Sequence, residues 1–254
     1  MINCCPVCGA AGREDVLSLL GLPVLINAQV DPDDAIDVAR GDIDLVVCTA
    51  CGHMYNRSFD PDLLGYDAAY ENTLHYSPRF REYASSLAHR LVEDHALQDA
   101  TVGELGSGPG HFLTMLCEAG AGAGLGWDPS FDADRLEAPD HGAVSVSAAP
   151  FPTDGSTPLA LAASQHVLEH LEAPVDAVRA LASAVAQSDG VVYSEVPNGA
   201  LMVRDCALWD LIYEHLSYFV PSSLDLLHRR AGLRLTSSGT TFGDQFLWAE
   251  ASVD

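Results

Sequence analysis

From Thr101 onward the chain alternates between two spacings of apolar residues. Short apolar runs, TVGELG, GAGLGWD, AVSV, PLALAAS, VVYSEVP, LRLTSS and FLWAEAS, read as strands. Between them HFLTMLCEAG, PVDAVRALASAVAQ and SSLDLLHRRAG carry the helical period, the last with Ser222 as the expected N-cap and Gly232 as the stop. Strand and helix in alternation predict a doubly wound, mostly parallel α/β sheet of seven strands. Upstream, a helical period runs from about Pro78 to His95, preceded by the tyrosine-rich YDAAYENTLHY. The expected division is a cysteine-bearing module at 1–60, a tyrosine-rich helical linker at 61–100 and an α/β domain at 101–254.

Composition narrows the function classes. With 254 residues and 48% hydrophobic content the chain can bury a full core, with a small second module beside it. No apolar run reaches membrane-spanning length, and MINCCPVCGA has neither a basic flank nor a signal-like apolar segment; the expectation is a soluble cytoplasmic protein with no membrane partner. A formal net charge of −24 repels phosphate backbones, which removes nucleic acid as a partner and leaves a small-molecule substrate. All twelve basic residues are arginine, so lysine Schiff bases and the P-loop lysine are excluded.

Seven cysteines are present, four of them in two matched C-x-x-C-G knuckles, Cys5-Pro-Val-Cys8-Gly and Cys48-Thr-Ala-Cys51-Gly. Such a pair offers four thiolates to a tetrahedral Zn2+, and the trailing glycines let the backbone turn under the ion. Four protein ligands make a closed, structural site. The 39 residues between the knuckles must form an inserted loop or hairpin. Cys4 is a spare or a rival to Cys5, Cys117 sits in an apolar helical pattern as a core residue, and Cys206 has no evident place.

The first strand of the α/β region ends in Glu104-Leu-Gly106-Ser-Gly108-Pro-Gly110 and runs into a helix, whose N-terminus offers free N–H groups. The spacing is G-x-G-x-G, not the G-x-G-x-x-G of dinucleotide sites. About twenty residues on, a second strand ends at Asp128, a carboxylate suited to ribose hydroxyls. Glu104 beside the loop repels a pyrophosphate and favours a cationic cofactor.

These residues resemble the class I S-adenosylmethionine (SAM)-dependent methyltransferases over residues 100–254. The resemblance implies that Glu104, Gly106, Gly108 and Gly110 close around the methionine part of SAM, that Asp128 holds the ribose, and that Ala149 and Phe151 flank the adenine, with Ser164 at the exit of the fourth strand. That exit, SQHVLEH, contains His166, Glu169 and His170 in the H-x-x-E-H order of inverted zinc peptidases. In the methyltransferase family it is a strand-to-loop junction that delivers His166 to the carboxyl edge of the sheet, with Glu169 and His170 structural.

Taken whole, the two knuckles, the stretch Pro23 to Asn27, the tyrosine-rich linker and LIYEHLSYF resemble the sugar C-methyltransferases that act on deoxy-4-keto-sugar nucleotides. By position, His215 matches the family's general base and Glu214 its acid. The family tyrosine three positions before the base falls on Ile212; a one-residue deletion would place Tyr213 in that role. Glu214, Tyr213 or Tyr218 would orient His215, His166 would stabilise an enolate oxygen, and Tyr70 and Tyr76 would close over the acceptor. Family members carry a further C-terminal domain, and this chain stops after GDQFLWAEASVD. The expectation is a shortened relative with another substrate, or a protein partner or second copy that supplies the missing surface. An oxygen or nitrogen acceptor would use the same base, and a non-catalytic zinc- and SAM-binding scaffold is the rival reading.

Overall fold

A computed structural model of the protein describes residues 1–26, 36–64, 74–131 and 143–253. The strands are β1 (Arg13–Pro23), β2 (Arg40–Cys48), β3 (Met54–Asn56), β4 (Thr101–Leu105), β5 (Ala123–Trp127), β6 (Val144–Ser147), β7 (Leu161–Gln165), β8 (Val191–Pro197), β9 (Ser217–Tyr218), β10 (Leu233–Thr241) and β11 (Phe246–Val253). The helices are α1 (Pro78–Asp94), α2 (His111–Glu118), α3 (Pro174–Val185), α4 (Gly199–Asp205) and α5 (Pro221–Arg230).

The larger sheet has seven strands in the order β10-β11-β8-β7-β4-β5-β6. Its pairs from β8 across to β6 are parallel, while β11 runs antiparallel to both β8 and β10. The order of connection reverses between β4 and β7, and in open α/β sheets the crevice at the carboxyl ends of such strands is where ligands sit. Parallel strands need helical crossovers, which bury them on both sides; Leu161, Ala162 and Ala163 of β7 are accordingly inaccessible to solvent. One apolar cluster joins Leu181 and Val185 of α3 to Leu227 of α5, and another joins Leu91 of α1 to Phe112 and Leu116 of α2.

Helix α1, within the stretch expected as a helical linker at 61–100, packs as a layer against the sheet and α2. Ser77 Oγ caps its N-terminus by accepting from Phe80 N, and Pro78 occupies the first turn, where a missing N–H costs nothing. Its apolar face, Phe80, Leu87 and Leu91, is buried. Its polar side is pinned to β11, where Glu250 accepts from Arg90 Nη1 (2.6 Å) and lies 2.9 Å from His95 Nε2.

The smaller sheet has the order β1-β2-β3-β9. β1 and β2 are an antiparallel hairpin lying between the two knuckles, which is the expected insertion. The fourth strand comes from far downstream: Tyr218 pairs with Met54 and Ser217 with Tyr55. The small sheet is therefore completed by residues on the other side of the expected boundaries. Ser222 is not the cap of α5. That helix begins at Pro221 with Val220 at the cap, and Ser223 Oγ accepts from Val220 N at 3.0 Å. Proline at the first helical position sets the start, and Gly232, at φ +85°, ends the helix as expected. Among the described residues no helix is long and apolar enough to cross a membrane.

Candidate active site

The glycine loop follows β4 directly. Gly106, Gly108 and Gly110 all adopt positive φ, at 71°, 51° and 84°, which other residues enter only at a cost. A Cβ on Gly106 would collide with Val167, so the loop packs against the β7 exit; a Cβ on Gly108 would meet nothing within 4 Å. Asp128, just past β5, accepts from Gly108 N through Oδ2 (2.8 Å) and from Ser130 N through Oδ1 (2.9 Å). Oδ1 also accepts from Ser130 Oγ (2.6 Å), so of about four acceptor positions one, on Oδ2, is left for a ribose hydroxyl. Phe151 lies edge-on to Trp127 with centroids 4.8 Å apart. Ala149, exposed, is held by its N–H to Ser147 Oγ. Ser164 is buried on β7, its hydroxyl without a hydrogen-bond partner among the described residues.

Glu104 is 3% exposed and its Oε2 has no partner among the described residues. Burial, and secondly the charge of Asp128, push its pKa up to about 8. A buried acid beside an open backbone cradle fits a cationic ligand, as SAM is. When bound, SAM would be held by Glu104, the glycine loop and Asp128, and would supply an electrophilic methyl group. Below pH 8 Glu104 is largely protonated; a cation binds the ionised form better and releases the proton. The expected outcome is that SAM affinity rises with pH up to about 8 and that Glu104→Gln flattens this rise, measured by calorimetry in buffers of different ionisation heat.

The H-x-x-E-H string is not helical. His166 leaves β7 with φ +55°, and Val167 to His170 form a turn, so the one-turn ligand spacing of a peptidase helix does not exist. His166 N donates to the Glu195 carbonyl (2.9 Å), and its Nε2 lies 3.2 Å from Glu195 Oε1, close but out of hydrogen-bond alignment. Glu195 also accepts from the hydroxyls of Tyr83 and Tyr193. Burial, the largest influence, opposes a charge on His166, but the carboxylates of Glu195, Glu169 and Asp210 together hold the imidazole above its ordinary pKa.

His215 is in the opposite state. Its Nδ1–H donates to the Asp210 carbonyl (2.9 Å), and its ring stands edge-on to His170 at 4.8 Å. Burial first, then His170, hold its pKa well below 6.5, so it is neutral with a lone pair on Nε2. Two bonds fasten this segment to the β7 exit: Ser217 N to the Glu169 carbonyl (2.9 Å) and His170 Nδ1 to the Glu214 carbonyl (3.0 Å). Glu169 and His170 thus hold the base-bearing loop at the carboxyl edge of the sheet.

The other expected residues divide. Tyr218 places its ring 6.2 Å from His215 and donates its hydroxyl to the Ile212 carbonyl. Tyr213 packs against the small sheet. It is buried, stacked on Phe59, and its hydroxyl accepts from Asp60 N at 2.9 Å, a strut between the small sheet and the loop after α4. Glu214 Oε1 accepts from Ile26 N (3.1 Å), and the Asp210 carbonyl accepts from His215 Nδ1. Tyr76 is 67% exposed and lines a cleft of about 370 Å³ with His75, Arg81 and His111. Tyr70 and Asn27 lie outside the described residues. Sequence reasoning missed Glu195 and Asp210. An acid inside the apolar run VVYSEVP was the available signal for Glu195; a backbone carbonyl leaves none for Asp210.

The four knuckle cysteines converge. Cys5 and Cys51 sulfurs are 3.7 Å apart, Cys8 and Cys48 sulfurs 3.5 Å, and all four lie within 4.8 Å of one another. Zn–S bonds of about 2.3 Å put tetrahedral sulfurs ~3.8 Å apart, so the group fits Zn2+. Gly9 and Gly52, behind the knuckles, have φ of 78° and 73°. Cys4 is exposed outside the cluster, Cys117 is buried, and Cys206 ends α4 with φ +52°. His53, two residues past Cys51, is fully buried and bridges Ser223 and Ser217, each at 3.2 Å. Burial pushes its pKa down to about 3, so it is neutral.

Comparison with known proteins agrees with this geometry. A profile of the methyltransferase domain matches residues 75–238, beginning just ahead of α1. The C-methyltransferase NovU of Streptomyces niveus is 28% identical over 248 residues, 94% of this chain; the chain spans 58% of that protein's length. The magnesium protoporphyrin IX methyltransferase of Synechocystis PCC 6803, solved with S-adenosylhomocysteine bound, superposes with a TM-score of 0.53 at 17% identity, covering 73% of this chain and 89% of that one. The pyocyanin biosynthetic protein PhzM gives a TM-score of 0.53 at 14% identity over 66% of this chain and 54% of its own. At these identities the structural likenesses establish the fold.

Proposed function

The chain belongs to the methyltransferase domain family, whose fold is that of SAM-dependent enzymes, and we propose that it methylates carbon in a small acceptor resembling a keto sugar. The observation that carries this reading is the pair of histidines at one sheet edge with opposed pKa shifts. Environments that drive two titratable groups apart assign the acid and the base. Neutral His215 takes the proton from the carbon beside the acceptor carbonyl through Nε2. His166, held by Glu195, faces the oxygen on which negative charge then gathers and stabilises it. The Asp210 carbonyl fixes the tautomer of His215, and Tyr218 walls its ring.

Methylation of carbon demands this prior deprotonation, whereas an alcohol or amine acceptor places less demand on an oxyanion partner. The likeness to a C-methyltransferase points the same way. We further propose that the four cysteines hold a structural Zn2+, which takes no part in the chemistry. The test is incubation with methyl-labelled SAM and a nucleotide-linked 4-keto-deoxysugar, followed by NMR of the product. A methyl bound to carbon is the expected result; a methyl ether would replace the carbon reading with O-methylation. Cofactor binding is checked separately. Asp128→Ala is expected to weaken SAM binding by about tenfold or more, as loss of a charge-assisted hydrogen bond and of the anchor for Gly108 N requires, and unchanged affinity would remove Asp128 from the site.

A further inference from the structure

One buried group beside the base has no part in the chemistry above. Glu169 is 1% exposed, and neither carboxylate oxygen has a hydrogen-bond partner among the described residues. Burying a carboxylate is costly unless it is paired or bound to a metal. Its Oε1 lies 4.0 Å from His170 Nε2. His170 and His215 both give Nδ1–H to backbone carbonyls, of Glu214 and Asp210, which leaves both Nε2 lone pairs available. An imidazole anchored through its other nitrogen to a carbonyl is the usual setting of a metal-binding histidine. One ligand atom from each of Glu169, His170 and His215 lies within 4.8 Å of the other two.

We propose that Glu169, His170 and His215 form a second metal site, for a borderline divalent transition ion such as Zn2+. Two imidazoles and one carboxylate suit that ion and leave a fourth position open. Bonds of about 2.0–2.2 Å put tetrahedral donors ~3.4 Å apart, so the three groups draw in by roughly 1 Å on binding. His166, the other histidine of the H-x-x-E-H string, has Nδ1 3.9 Å from Glu169 Oε1, but its Nε2 faces Glu195 at 3.2 Å and it stands outside the set. The ion takes the Nε2 lone pair that the base uses, so a loaded site is an inhibited enzyme. That consequence, unlike the site itself, rests on the role assigned to His215 above.

The experiment adds Co2+ to protein whose cysteine site is already filled with Zn2+. The expected result is one further equivalent with ligand-field absorption but no thiolate-to-cobalt charge-transfer band. In Glu169→Gln, an isosteric change at a side chain that makes no hydrogen bond among the described residues, the affinity for Co2+ is expected to fall by about tenfold or more. Added Zn2+ should inhibit the wild type, and the inhibition constant, taken relative to each protein's own metal-free rate, should rise by a similar factor in the variant. No cobalt bound beyond the cysteine site in the wild type overturns the proposal, as does cobalt whose spectrum and affinity ignore Glu169→Gln. Cobalt bound as expected with methyl transfer undiminished upholds the site and removes His215 as the base.

Discussion

His215→Asn is expected to lower methyl transfer by about 10²- to 10⁴-fold, the usual worth of a positioned general base, while SAM binding stays unchanged. The substitution is chosen for what it preserves. An asparagine amide can still donate to the Asp210 carbonyl, which His215 Nδ1 now does at 2.9 Å, so the loop keeps its anchor. What disappears is the Nε2 lone pair. Glu104, Asp128 and the glycine loop stand on β4 and β5, and no bond described here ties them to the His215 side chain. The loss should therefore fall on kcat, with the calorimetric affinity for SAM intact. A variant that methylates its acceptor at the wild-type rate would show that another group takes the proton.

Removal of the Zn2+ proposed for the cysteine site should have the next largest effect, and on catalysis as well as stability. Structural Zn2+ contributes folding free energy directly, about 10–16 kcal/mol of apparent binding in isolated zinc-finger peptides. Strands β2 and β3 bury Ile43, Leu45 and Met54 against Leu216 and Tyr218, whereas β1 exposes Val16, Leu19 and Leu20 and leans more on the metal. Its short strand β3 reaches the active site through two links: pairing with β9, two residues past His215, and the bridge from His53 to Ser217 and Ser223. Chelation should thus speed hydrogen exchange in β1 to β3 and cut kcat by about tenfold or more, as misplacement of a reacting group does. Binding of SAM, which depends on the large sheet, should persist. Full activity after metal analysis confirms removal would break the proposed link between the cysteine module and the base.

The large sheet and its cofactor crevice were legible because their signals are local. β4, β5 and β7 are contiguous apolar runs, and the glycines follow β4 without a gap. Asp128 stands at the end of the next strand, where the alternation of strand and helix places it. The knuckles likewise announce themselves by spacing within a few residues. Other elements carry no such pattern. β9 is two residues long and is a strand only because β3 lies beside it. The spacing of the H-x-x-E-H string alone also suits a peptidase helix; the family resemblance pointed to a strand-to-loop junction, and the structure shows a left-handed turn at His166.

What the amino-acid order determined by itself was the succession of strands and helices, the glycine loop with its two acids, and the four thiols. Only the tertiary structure decided that His166 meets Glu195, that His215 leans on Asp210, that Tyr213 is a strut, and that Glu169 makes no hydrogen bond among the described residues while standing beside two imidazoles. The reason is one of range. Strand and helix formation follow from apolar periodicity over a few residues, whereas the protonation state of a buried histidine depends on burial and on groups brought to it from elsewhere in the chain.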